Sequence, residues 1–159
     1  MTVGVLTCSP DTPAGEIARV LTEKNLEAVV VVKPEGKHAV GMVSQVELLK
    51  AYSRQQSPET MAEEIMRDDI PQIPAEIPIE TAAQIMLDQG VRVLYIMHRA
   101  SGEAYPAALI SYSQLLRHIG AKGVEDLKDL GIQAARQSPL ETFITRRDAA
   151  RKKYGGGEP

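Results

Sequence analysis

Tryptophan is absent from these 159 residues, and phenylalanine (Phe143) and cysteine (Cys8) each occur once. With so few large rings, any core must be aliphatic, built from Val, Ile, Leu, Ala and Met. A lone cysteine excludes an internal disulfide and agrees with a reducing compartment, the cytoplasm. No apolar run approaches the roughly 18 residues that a membrane span needs. The opening MTVGVLTCSPD has no basic region ahead of an apolar stretch, so it does not read as a secretory leader. Also missing are a phosphate-cradling Walker loop, GxGxxG, GxSxG and metal-ligand spacings such as HxxxH or CxxC. His38, His98 and His118 are isolated, and no His or Asp pattern accompanies Cys8, which reads as a small core residue. The usual signatures of metal and nucleophilic catalysis are therefore absent.

What is present is ordinary globular composition, 43% apolar and 25% charged, so a packed core is expected. The net charge of −3 is uneven: residues 121–159 carry 8 basic and 6 acidic side chains, leaving 10 and 15 for the first 120. An acidic body argues against sequence-independent binding of nucleic acid. It does not exclude one nucleotide, which a local pocket of backbone amides can hold.

The chain repeats itself. Residues 5–32 lie without gaps over residues 70–97, setting Pro13 on Pro78, Ala18 on Ala83 and Leu21 on Met86. The closing phrases GMVSQVELL (41–49) and ALISYSQLL (108–116) also match, two residues further apart. Those two residues are expected in the turn, KPEGKHAVG in the first copy and HRASGEAYPAA in the second. Ala14, Ile17, Ala18 and Leu21 make a helical apolar stripe, repeated by Ile79, Ala82, Ala83 and Met86. AVVVV (28–32) is short and β-branched, so it reads as a strand buried on both faces, and AVGMV (39–43) as its hairpin partner. MAEEIM (61–66) reads as a short helix. The expectation is an α/β (α+β) fold of two tandem β-α-β-β-α repeats packed through their sheets. Boundaries are expected at 1–56 for repeat one, 57–120 for linker and repeat two, and 121–159 for a helical C-terminal extension.

Each closing phrase ends a strand and begins a helix. At Ser44/Glu47 and Ser111/Gln114 the spacing is that of a capping box, in which Ser and the N3 residue satisfy each other's amides. The same geometry aims amides and a partial positive charge at one point, where a Ser hydroxyl could also meet phosphate and an N3 carboxylate could take ribose hydroxyls. Capping and binding are compatible, and the residues alone leave both open.

The ordered set of segments over residues 1–120 resembles the CBS domain, and the pair resembles a Bateman module. The opening segment and first helix are carried by MRDDIPQIPAEIPIETAAQIM (66–86), the middle strand by GVRVLYIM, and the closing phrase by GMVSQVELL. The resemblance implies a regulatory module holding AMP, ADP, ATP or S-adenosylmethionine in clefts between the repeats. By position it places Ser44 and Ser111 near phosphate, Glu47 and Gln114 at the family's ribose-binding Asp, and Thr7 and Gln72 near the base. It sets Ile70 and Ile73 beside the base in copy two, and Arg92 at the cleft mouth toward phosphate or paired to an acid. Departures are the missing Asp in both copies, Ala108 for Gly, and Tyr95 where Pro is frequent. Charge favours Ser44/Glu47 over Ser111/Gln114.

In the tail, Ser138-Pro139-Leu140-Glu141 reads as a helix start, with Leu140, Phe143 and Ile144 on one apolar face and a basic run after it. Three functions are weighed: a nucleotide sensor acting on an unknown regulated protein, without catalysis; a ligand-free interaction adaptor of the same fold; and a small enzyme using Cys8 or a His. A homodimer is expected from aliphatic helix faces around Leu48/Leu49 and Leu115/Leu116.

Overall fold

A computed structural model of the chain describes residues 2–3, 5–35 and 38–123. The tail positions Ser138, Leu140, Phe143 and Ile144 lie outside the described residues. In chain order the elements are β1 (Thr2–Val3), β2 (Thr7–Cys8), α1 (Ala14–Glu23), β3 (Ala28–Val32), β4 (Ala39–Ser44), α2 (Gln45–Ser53) and α3 (Ala62–Ile65). Then follow α4 (Ile79–Gln89), β5 (Val93–Ala100), β6 (Glu103–Ser111) and α5 (Tyr112–Gly120). The repeated α/β unit expected from the sequence is present twice, as two three-stranded sheets, β2-β3-β4 and β1-β6-β5.

Alternation along β3 explains its double burial. Val29 and Val31 turn to the helical side with Ile17, Leu21, Val43 and Ala62. Ala28 and Val30 turn the other way, against Met42 and against Val93, Tyr95 and Leu109 of the other sheet. The second copy repeats the layering, with Leu94 packed on Ala82, Met86 and Leu115. The protein is thus helices, sheet, sheet, helices, and the middle layer joins two small units that would be marginal alone. Asn25 and Gly90 end α1 and α4 with left-handed φ of 50° and 63°, so matched positions turn each chain into its middle strand.

The sheets also exchange edges. Thr2 pairs with Leu109 on β6, and Arg67 pairs with Met42 on β4 through two 3.0 Å backbone hydrogen bonds. Each copy's lead-in thus pairs with the closing strand of the other. At Gly41 the crossing is so close that a Cβ would lie 2.6 Å from the Arg67 carbonyl oxygen.

Two expectations are corrected by the strand pairing. The opening strand of copy two shrinks to one bridge, Gln72 to Tyr95, because Pro71 and Pro74 have no N–H to extend it. The stretch HRASGEAYPAA is mostly strand: its turn is only Ser101-Gly102, both at positive φ, and the added length lies in a longer ribbon with a bulge at Ile96/Met97.

Candidate functional site

Both helix starts carry the capping box. The Ser44 hydroxyl accepts from the Val46 amide at 3.1 Å, while the Glu47 carboxylate accepts from the Ser44 amide at 2.9 Å and from its hydroxyl. In the second copy Ser111 Oγ accepts from the Gln114 amide at 3.4 Å, and Gln114 Oε1 accepts from the Ser111 amide at 3.1 Å. The next amides are also used: Gln45 N–H donates to the Glu27 carbonyl and Tyr112 N–H to that of Arg92. Both N3 side chains are buried as polar groups, Glu47 at 7% exposure and Gln114 at 8%. A buried N3 group with its cap bonds made is held in one rotamer.

The two sites differ in their surroundings. Around the second, a cleft of about 240 Å³ opens between the repeats. Repeat one supplies Lys24, Asn25 and Glu27 from the α1–β3 turn, and repeat two supplies Ser111, Ser113 and Gln114 from the start of α5 and Arg117 from further along it. Ala28, Val93 and Leu109, at the rim of the inter-sheet core, add an apolar surface. The walls therefore combine an apolar patch, hydroxyls at a helix N-terminus, a primary amide and charges of both signs.

The sequence-derived residues divide accordingly. Ser111 and Gln114 line the cleft; Ser44 and Glu47, which charge alone favours, do not. Thr7 and Gln72 are exposed on opening segments, each paired with its own middle strand. Ile70 packs on the inter-sheet cluster, whereas Ile73 turns to the helical side, so the two flank no common space. Arg92 meets an acid: its Nε and Nη2 lie 3.4 Å from the two oxygens of Glu27, and its guanidinium carbon 5.5 Å from the Tyr112 ring centre. Lys24, Glu27, Ser113 and Arg117 were missed by reading motifs. The available signal was that Glu27 and Arg92, opposite in charge, coincide in the repeat alignment.

Cys8 is unsuited to nucleophilic chemistry. Burial pushes its thiol up to about 11, the Glu16 carboxylate adds to the rise, and a hydrogen bond with Thr12 only partly offsets it. His38 Nδ1 accepts from the Ala104 amide at 3.2 Å, and the His98 ring packs on Tyr105. Among the described residues, no group of three or more His, Cys, Asp or Glu is placed to hold a metal ion. Nor is any helix there long and apolar enough to cross a membrane.

With this arrangement in view, the family model of the CBS domain matches residues 1–54 and again residues 62–121. The chain belongs to the CBS domain family. Its two matched segments make it a CBS domain pair, and solved CBS pairs share its fold. One is a CBS domain protein from Pyrobaculum aerophilum complexed with AMP, with a TM-score of 0.59, 19% identity, and coverage of 76% of this chain and 95% of that one. Another is the CBS domain pair of protein MJ0100 in complex with 5′-methylthioadenosine and S-adenosyl-L-methionine, with a TM-score of 0.63, 17% identity, and coverage of 75% and 94%. An uncharacterized protein of Methanopyrus kandleri is 30% identical over 95 residues, 58% of this chain. The match spans about half of that relative's length, 48%.

Proposed function

We propose that this CBS pair is a regulatory module that binds an adenosine ligand in the cleft between its repeats and signals occupancy to a partner protein, with no catalysis of its own. The observation that carries the reading is the cleft at Ser111 and Gln114. A helix N-terminus, two serines and two cations converge there from both repeats, beside an apolar surface able to take a base. Solved relatives of the same fold hold AMP or S-adenosylmethionine, which supports the adenosine class. In this reading the Ser111 and Ser113 hydroxyls meet phosphate, and Gln114 meets the ribose. Ser44/Glu47 is a second candidate position, and Thr7, Gln72, Ile70 and Ile73 support the opening segments rather than this cleft. Repeat one occupies 1–56, linker and repeat two 57–120, and a C-terminal extension 121–159. The cytoplasm, with its reduced thiols, suits Cys8.

A second feature favours self-association. The fifth and eighth residues of α2 and α5 are apolar and exposed in both copies: Leu49 and Leu116 at 67% and 66%, Tyr52 and Ile119 at 81% and 78%. Each outer helix layer thus presents a matched apolar pair to solvent, a face suited to a homodimer. If the cleft proved dead, the same face would support the adaptor reading. A thermal-shift screen with adenosine, AMP, ADP, ATP and S-adenosylmethionine separates the two. A ligand at 100 times its Kd should stabilise by about 2.7 kcal/mol, whereas no shift with any of the five would leave the adaptor.

A further inference from the structure

The charges around the cleft are unequal, and one of them is withheld. Lys24 and Arg117 line it as cations and Glu27 as an anion. The Glu27 side chain is 11% exposed and turns both oxygens to Arg92, 3.4 Å away. Arg92 is itself 55% exposed and lies against Tyr112, the first residue of the helix whose start forms the cleft. Arg92, next in the chain to cleft-lining Val93, is thus held at the edge of the cleft by the Glu27 carboxylate.

We infer that Glu27 is a specificity-determining residue that sets how many phosphates the ligand carries. By occupying Arg92 it leaves Lys24 and Arg117 to face the ligand, a match for the charge of about −2 on one phosphate group. A triphosphate would bring further negative charge toward the Glu27 carboxylate with no third cation to meet it. The inference rests on the adenosine-binding reading above.

Isothermal titration of the full chain at fixed ionic strength, with adenosine, AMP, ATP and S-adenosylmethionine, tests it. AMP should bind about tenfold tighter than adenosine and tighter than ATP, by the strength of charge-assisted hydrogen bonds. Lys24→Gln and Arg117→Gln should each cut the advantage of AMP over adenosine. Glu27→Gln should free Arg92 and raise ATP relative to AMP about tenfold, and the double variant Glu27→Gln/Arg92→Gln should cancel that gain. A role for Glu27 in folding alone would weaken all ligands in proportion, leaving the ratio fixed, and that result overturns the inference. Wild-type ATP binding as tight as AMP, or preference for S-adenosylmethionine, also overturns it while leaving the adenosine cleft standing. Absence of binding by all four removes both.

Discussion

Tyr95→Phe should make the protein more stable. Tyr95 is 0% exposed at the centre of the inter-sheet core, and its hydroxyl has no hydrogen-bond partner among the described residues. A buried hydroxyl without a partner costs about 1–3 kcal/mol. Deleting the oxygen leaves a gap of roughly 10–15 Å³, which at ~24 cal/mol per Å³ costs about 0.3 kcal/mol. The net gain is about 1–2 kcal/mol, or roughly 2–8 °C in Tm for a chain of this size. Tyr95→Ala should instead cost about 3–5 kcal/mol, because the ring itself fills the core. The hydroxyl also leaves a mark in pH. Burial raises its pKa above the ordinary 10.0, so in alkali the unfolded state loses this proton before the native state does. Stability should then fall as pH rises above about 10, and Tyr95→Phe should remove that part of the slope. Urea titrations at pH 7 and across pH 9–11 measure both effects. A Tyr95→Phe protein that is less stable at pH 7 by 1 kcal/mol or more would refute the reasoning, since the hydroxyl would then be satisfied.

Other perturbations bear on separate parts of the account. Ser44→Ala and Ser111→Ala should each cost about 1 kcal/mol as lost helix caps, read by thermal denaturation, and neutrality would mean the caps contribute nothing. Gly41→Ala should cost about 1–3 kcal/mol by driving the Arg67 backbone off β4, with loss of amide protection at Met42 and Arg67 as the specific readout. Leu116→Glu with Ile119→Glu should shift sedimentation from dimer to a monomer of about 17 kDa while leaving the fold intact, whereas a wild-type monomer at tens of micromolar would remove the dimer. The Cys8 thiol, raised to about 11, should react slowly with thiol reagents at pH 8, and its contribution to stability should fade as pH climbs from about 9 to 11; Cys8→Ala should flatten that window.

The repeat and its layers were readable because they rest on local pattern. The i, i+3, i+4, i+7 stripe of α1 and the β-branched run of β3 mark their own burial, and Ser44 and Ser111 mark their own helix starts. The edge exchange was not readable, since pairing Thr2 with Leu109 is a long-range event with no compositional trace. The reduction of the second opening strand was readable in principle from Pro71 and Pro74, whose missing amides outweigh the match to residues 5–8. Of the cleft's lining, Ser111 and Gln114 were legible through capping chemistry, whereas Lys24, Glu27 and Arg117 come from a turn and a second helical turn that no motif marks. Arg92 is an intermediate case: its partner Glu27 is the matched residue of the other repeat, so the alignment pairs their opposite charges, while the contact itself forms only when the copies fold against each other.

Backbone amide resonances followed during titration with AMP test the central claim most directly, because they report both binding and place in solution. The account requires saturable shifts concentrated at residues 24–28 and 111–117, on the two walls of the cleft. An unchanged spectrum at millimolar AMP, or shifts confined to residues 44–50, would contradict it.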